Sequence, residues 1–263
     1  MARAKRGALL LAGIVALAAT GAEAGIAPLG TAGSFAVLGG ATVTNTGSST
    51  ISGNVGVTPG AAVTGFPPGH VTGGTIHSND AVAIQAHADA TGAYVLLAGL
   101  PVTRDLSGQD LGGLTLTPGV YFFSSSAQLT GTLTLDGQGQ EDPSFVFQIG
   151  STLTTASSSS VVEINGADAC DAYFQVGSSA TLGTGTKFMG TIIAYASGTL
   201  TTGVSLDGRV IALNGAVTLD TNDIYSRDCA ATAVPLPAGA PAGFAGLLVI
   251  AAGIKLRGSA ASA

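Results

Sequence analysis

The stretch Ser179-Ala-Thr-Leu-Gly-Thr-Gly185 returns eighteen residues later as Ser197-Gly-Thr-Leu-Thr-Thr-Gly203. The register carries on beyond the motif, setting Phe188 against Leu206, Gly190 against Gly208, Ile192 against Val210 and Ala194 against Ala212. A looser copy, Gly215-Ala-Val-Thr-Leu-Asp-Thr221, follows after a slip of one residue. A period this short is too small for a domain. It is one turn of a structure that stacks on itself, with side chains pointing alternately in and out. The repeat therefore predicts a β-solenoid with an aliphatic inner ladder and a threonine-rich outer wall.

The strand grammar recurs along the chain. Val120-Tyr-Phe-Phe123, Phe145-Val-Phe-Gln-Ile149, Tyr173-Phe-Gln-Val176, Thr191-Ile-Ile-Ala194 and Arg209-Val-Ile-Ala212 form one family of strands, each followed by a short Thr/Ser segment. Ser34-Phe-Ala-Val-Leu-Gly-Gly-Ala-Thr-Val-Thr-Asn-Thr46 follows the same logic. A β-sandwich would show hairpin turns instead of a constant register. The Gly- and Pro-punctuated stretch over residues 53–69 predicts irregular structure capping one end. Residues 79–99 break the pattern. Val82, Ala86, Ala90, Ala93, Leu97 and Leu100 recur at helical spacing, with Ser78 or Asn79 as cap, Asp80 near the N-terminus, and Gly99 and Pro101 as the stop. This one long helix should lie close along the solenoid wall through its alanine face. Forty glycines, no Trp and only 9% charged residues beside 46% hydrophobic ones suit an all-β stack and argue against disorder.

Both ends carry processing signals. Arg3, Lys5 and Arg6 precede an apolar run from Ala8 to Ala19, and Ala22-Glu-Ala24 offers a cleavage site, so residues 1–24 read as a secretory signal peptide. Residues 25–233 form the solenoid domain. Residues 234–263 begin Val234-Pro-Leu-Pro-Ala238, continue into an apolar stretch from Gly243 to Ile254, and carry Lys255 and Arg257. This segment resembles the VPLPA-type C-terminal sorting signal of Gram-negative bacteria, and the resemblance implies a sorting protease of the exosortase type as partner. A plain tail anchor fits the same residues. The product is expected to be secreted or attached to the cell surface, touching membrane only through these terminal segments, and to be a monomer.

Without its ends the chain holds four basic side chains (Arg104, Lys187, Arg209, Arg227) against fourteen acidic ones, a net charge of −10. Phosphate backbones and anionic membrane surfaces repel such a domain, which excludes nucleic acid as a partner. Cys170 and Cys229 are the only cysteines. In an exported protein a lone pair reads most simply as one disulfide, worth about 4 kcal/mol for a loop of this length in the chain-entropy account.

Within each Thr segment the central aliphatic residue should point inward: Val43, Leu129, Leu153, Leu182, Leu200 and Leu219. The outward flanks are then Thr42 and Thr44, Gln128 and Thr130, Thr152 and Thr154, Ser179 and Thr181, Thr199 and Thr201, and Thr218 and Asp220. Stacking would place rows about 4.8 Å apart and neighbours within a row about 6.7 Å apart, a two-column array of methyls and hydroxyls. Such an array can order water into a crystal-like patch. Threonine is also an ordinary exposed strand residue, and spacing alone leaves both readings open.

Further segments carry a resemblance over residues 30–229. They are Ser34-Phe-Ala-Val-Leu38, Val43-Thr-Asn-Thr46, Ile51-Ser-Gly-Asn-Val-Gly-Val-Thr-Pro-Gly60 and Val63-Thr-Gly-Phe-Pro-Pro-Gly69. Gly74-Thr-Ile-His-Ser-Asn-Asp80, Gly119-Val-Tyr121, Phe174-Gln-Val-Gly-Ser-Ser-Ala-Thr-Leu182 and Ala212-Leu-Asn-Gly-Ala-Val-Thr-Leu-Asp220 complete the set. Together they resemble the ice-binding-like β-solenoid family of microbial antifreeze proteins. The resemblance implies a right-handed, three-faced β-helix with a long helix alongside, adsorbing to an ice crystal surface through one flat face. It implies no cofactor and no catalysis.

An enzyme reading finds little support. Glu141 and Asp142 lie in a Gly/Pro-bounded turn, and Asp168 and Asp171 flank Cys170, so both pairs read as solvated loop charges. No G-x-S-x-G, P-loop, H-E-x-x-H or calcium-repeat motif occurs. His77, at the helix entrance, reads as a structural hydrogen-bonding residue and not as a metal ligand. The remaining alternative is a cell-surface or matrix adhesin using the solenoid as a rigid rod.

Overall fold

The coils of the chain lay short strands on three walls, and all the strand pairing between coils is parallel. The computed structural model describes residues 29–227 and 229. The expected leader and sorting segment lie outside the described residues.

The first wall runs through strands Ile76–Ser78, Asn54–Val57, Phe35–Gly39, the second halves of Ser205–Ala212 and Lys187–Ala194, Ala172–Val176, Phe145–Ile149, Gly119–Phe123 and Arg104–Asp105. The second is the seven-stranded Thr wall: Ala62–Thr64, Thr42–Thr46, Val217–Asp220, Gly198–Leu200, Ala180–Leu182, Leu153–Thr155 and Ala127–Leu129. The third carries Thr132–Asp136, Ser160–Ile164, the first halves of the two long strands, Asp223–Tyr225, Thr50–Ser52 and His70–Thr72. The two long strands turn the corner between the third and first walls. Gly190 and Gly208 sit side by side at that bend with φ of 111° and 141°, and a Cβ on Gly208 would lie 2.0 Å from the Gly190 carbonyl oxygen. Only glycine satisfies both demands, which explains why the repeat carries it at both positions.

Stacking order departs from chain order at one place. The coil of residues 35–52 pairs with the last coil, Val37 with Val210, Val43 with Val217 and Ile51 with Ile224. The coil of residues 54–78 covers it and ends the stack. The chain then passes through the helix, resumes at the far end, and builds back toward its own beginning.

The first-wall strands Phe35–Gly39, Phe145–Ile149 and Ala172–Val176 are buried at every residue and mostly apolar because both their sides are covered. Inward side chains of this wall form an aromatic stack. Phe147 lies 4.4 Å from Phe174 at 4° between planes, with Tyr121 at 5.4 Å beyond Phe147, and Phe188 from the third wall packs on Phe174 at 4.8 Å. Outward side chains of the first wall, among them Leu38, Val146, Tyr173, Ile193 and Ile211, meet the helix Ala81–Ala98 through Ala86, Ala90, Ala93 and Leu97. Gln148 Nε2 donates to the carbonyls of Leu97 and Leu100, closing the helix C-terminus.

The helix differs in detail from expectation. Its cap is Asp80, whose carboxylate accepts from the Ala83 N–H at 2.9 Å, so neither Ser78 nor Asn79 caps it. Ala83 is buried where Val82 had been expected, and Val82 is exposed. His77 Nδ1 lies 2.8 Å from the second Asp80 oxygen and Nε2 lies 2.9 Å from Thr75 Oγ1, a structural tie at the helix entrance.

Both cysteines, Cys170 and Cys229, are disulfide-bonded, and as the chain's only two they form one bridge. The carboxylates nearby need a correction. Asp171 is half-buried, not solvated, and burial pushes its pKa up to about 6. Glu163 points inward on the third wall opposite Leu135. Burial, then the charges of Asp168 and Asp207, push it up to about 7. Strand alternation hides such residues, since an inward acid looks like any other polar position in a short strand.

Two outcomes follow. Phe147→Ala should cost about 3–5 kcal/mol in denaturant unfolding, because it opens a cavity inside a continuous stack. The raised acids favour the protonated native state, so the stability they contribute is complete below pH about 4 and lost as pH rises through 6 and 7. The unfolding midpoint should therefore fall between pH 4 and 8, and Glu163→Gln should flatten that slope and raise the midpoint at pH 8.

Candidate functional site

On the Thr wall the strands run in register as Gln128, Thr154, Thr181, Thr199, Thr218, Thr44 and Thr64, each beside the next. Backbone pairing fixes the rows about 4.8 Å apart. None of the seven is buried, and none carries a charge. Asp110, bridged to Gln128, ends the column on one side.

The two-column array expected from sequence is different in the structure. Six of the seven strands place two residues inward, not one. The first inner row is Ala127, Leu153, Ala180, Gly198, Val217 and Val43; the second is Leu129, Thr155, Leu182, Leu200, Leu219 and Asn45. Taking one central aliphatic residue per strand merges these rows. The outer surface accordingly has three columns, of which only the middle one is nearly all threonine.

Thr42, Thr152 and Ser179 stand in one flanking column with Ser126, Ser197, Ala216 and Ala62. Thr130 and Thr201 stand in the other with Ala156, Gly183, Asp220 and Thr46. Thr44, Gln128, Thr154, Thr181, Thr199 and Thr218 share the middle. Thr64 and Thr46 were absent from the sequence-derived set. The signal for Thr64 was Val63-Thr-Gly65, the same inward–outward pair as Val43-Thr44.

Hydroxyl bonding differs between columns. In the flank, Thr201 Oγ1 donates to the Leu182 carbonyl at 2.8 Å and Thr46 Oγ1 to the Leu219 carbonyl at 3.3 Å. These two hydroxyls are turned back to the neighbouring coil, which fixes their χ1. In the middle column the one hydroxyl–hydroxyl contact is a long 3.5 Å between Thr44 and Thr218, leaving the column's hydroxyls for water. Asp220, beside this surface, accepts from Thr202 and Thr221, which hold its carboxyl below the usual range as an anion at the margin.

The third wall is chemically mixed. Its outward columns carry Lys187, Ser205, Asp223, Thr50 and His70, then Met189, Asp207, Tyr225, Ser52 and Thr72. Arg227 forms an ion pair with Asp207 beside them. The first wall lies under the helix. Only the Thr wall is open, regular and uncharged along its centre.

Residues 37–225 match the ice-binding-like family. The chain belongs to that family. It is 59% identical over 219 residues to an ice-binding protein of Nostoc sp. (strain HG1), covering 81% of each chain. The crystal structure of an ice-binding protein from the Antarctic ascomycete Antarctomyces psychrotrophicus superposes with a TM-score of 0.74 at 42% identity, over 78% of this chain and 99% of that one. An ice-binding protein from an Antarctic biological consortium superposes equally well, TM-score 0.74 at 46% identity, over 78% and 93%. Family membership and the solenoid architecture agree with the expectation from sequence. Among the described residues no cluster of three or more His, Cys, Asp or Glu side chains could hold a metal ion.

Proposed function

We propose that this protein adsorbs to ice through the Thr wall, centred on the column Thr154, Thr181, Thr199, Thr218, Thr44 and Thr64. The observation that carries the reading is a single uncharged column crossing seven coils at backbone-fixed spacing, on a domain that elsewhere displays its charges. Methyls order water beside them and hydroxyls bond it, so a rigid row of both can merge with a water lattice. Thr42, Thr152, Ser179, Thr130 and Thr201 widen the plane. Adsorption needs no cofactor and forms no covalent bond, so the protein acts as a binder and not as an enzyme.

The disulfide supports export to an oxidising compartment. With the sequence signals at both ends, the reading is a secreted or cell-surface monomer of a Gram-negative bacterium, cut after Ala24 and handled at residues 234–263 by an exosortase-type protease.

Thr199→Tyr tests the face. Exposed strand substitutions cost within about 1 kcal/mol, so the fold should survive. A ring protruding mid-plane holds neighbouring coils off the lattice. Since a gap below 1 Å already forfeits much of the contact energy, thermal hysteresis should fall roughly tenfold. Ser205→Tyr puts the same bulk on the third wall and should leave activity intact. Full activity in folded Thr199→Tyr would refute the assignment of the face. Intact-mass analysis of the protein from its own host should find Gly25 as the first residue, and an uncut N-terminus on a soluble product would contradict the export reading.

A further inference from the structure

Coils that follow one another in sequence are held in register by the short turns between them. One junction has no such help. Thr44 lies beside Thr218, 174 positions away in the chain, and every coil contact between residues 35–52 and the last coil must be chosen without a connecting turn. The apolar pattern alone chooses poorly. A slip of one residue would turn Val43 outward, but a slip of two keeps every side chain on its own face. It would set Thr42 or Thr46 where Thr44 should continue the column.

Buried polar side chains gather at this junction. Asn45, Ser49, Asn222 and Arg209 are 6%, 0%, 2% and 1% exposed. Ser49 Oγ donates to Asn45 Oδ1 at 2.5 Å and accepts from the Asn222 N–H at 2.9 Å. Asn45 Nδ2 donates to the carbonyls of Gly47 and Gly65, both at 2.9 Å. Asn222 Nδ2 donates to the Thr201 carbonyl at 2.7 Å, and its Oδ1 accepts from the Asp220 N–H. The network thus ties four successive coils at the corner of the Thr wall. Near the first wall, Arg209 donates to the Gly33 carbonyl at 2.8 Å, the Arg227 carbonyl at 2.6 Å and Thr191 Oγ1 at 3.3 Å. It thereby joins the domain's entrance to its exit.

The position of Asn45 sharpens the point. In its inner row the other coils place Leu129, Thr155, Leu182, Leu200 and Leu219. Leucine would fill the row and bury more apolar surface. A buried amide is retained at such a place when its directional bonds exclude alternatives that apolar packing would accept. Asn45 acts through Ser49: a shift by two residues would carry Ser49 Oγ, which Asn45 Oδ1 orients, away from the Asn222 N–H, and a buried donor without its partner is costly.

We propose that Asn45, Ser49, Asn222 and Arg209 form a register lock that joins the first coil to the last. They act as positioning residues that bring Thr44 and Thr64 onto the column ending at Thr218. The effect on ice rests on the reading of the Thr wall as the ice-binding face; the lock itself does not.

The experiment is native-state hydrogen exchange on the mature chain, parent against Asn45→Leu and Ser49→Ala, with ice-recrystallisation inhibition measured in parallel. The reporting amides are Thr221, which donates to the Thr46 carbonyl, and Thr50, which donates to the Asn222 carbonyl. The reference is Phe145, bonded to the Asp171 carbonyl far from the junction. In Asn45→Leu the junction amides should exchange about tenfold faster or more while the reference is unchanged, and inhibition should weaken severalfold. If Asn45 merely fills the core, leucine leaves the junction as protected as in the parent and activity is kept, which overturns the lock. Ser49→Ala barely changes volume and covers the case in which Asn45→Leu does not fold. It should show the same local loss, and parent-like exchange or a uniform loss across all coils would likewise overturn the proposal. Local opening in both variants together with a parent that never inhibits ice growth would retire the ice reading and leave the lock standing.

Discussion

In a parallel stack each strand bonds to the coils on either side, so equivalent residues are spaced by backbone chemistry and not by the size of their side chains. That constraint makes the Thr wall a lattice. Thr181 and Thr199 are neighbours because Ala180 pairs with Gly198 and Leu182 with Leu200. The side chains on the surface inherit a spacing they did not have to create. They are free to be chosen for their chemistry, and along the middle column that choice is threonine in six of seven coils.

A repetitive sheet has two hazards, open edges and exposed apolar walls. The chain meets both with the same detour. By placing its first coils against its last, it covers the strand edge where the repeats end, and the helix that links the two regions covers the apolar first wall. The small alanines of the helix let it lie close over Val146, Tyr173 and Ile193. What remains open is the chemically mixed third wall and the Thr wall, uncharged along its middle column. The division of labour between walls is therefore a consequence of topology as much as of composition.

How much of this was legible depends on the range of the signal. The eighteen-residue repeat reports local, in-register stacking, and it correctly paired Phe188 with Leu206 and Gly190 with Gly208. The helix was legible from Ala86, Ala90, Ala93 and Leu97, though its cap was displaced to Asp80 because the His77–Asp80 tie fixes that carboxylate at the helix entrance. Non-local facts were not legible. Residues 34–46 resembled residues 210–221 in grammar, but nothing in one sequence states that they touch. The number of inward residues per strand was also hidden, since Ala127, Ala180 and Gly198 look like turn residues until Leu153 and Val217 are seen beside them. Asp171 was read by type as a solvated charge, whereas its titration is set by burial against like charges, as is that of Glu163.

Small residues lie beneath several of the threonines. A face that meets a solid must be flat on the scale of a water molecule, and flatness is decided by what lies under it. Gly198 is the inward position next to Thr199 in the same strand, where an added Cβ would sit 2.7 Å from a methyl of Val210 on the first wall. Valine is stiff at χ1 and has no far end to swing aside, so the strand would have to move outward. The neighbouring strands hang on it by backbone bonds, and the displacement would bow the middle column at its centre. At Gly198 at least, the regularity of the outer threonines rests on the small size of the residue that supports them.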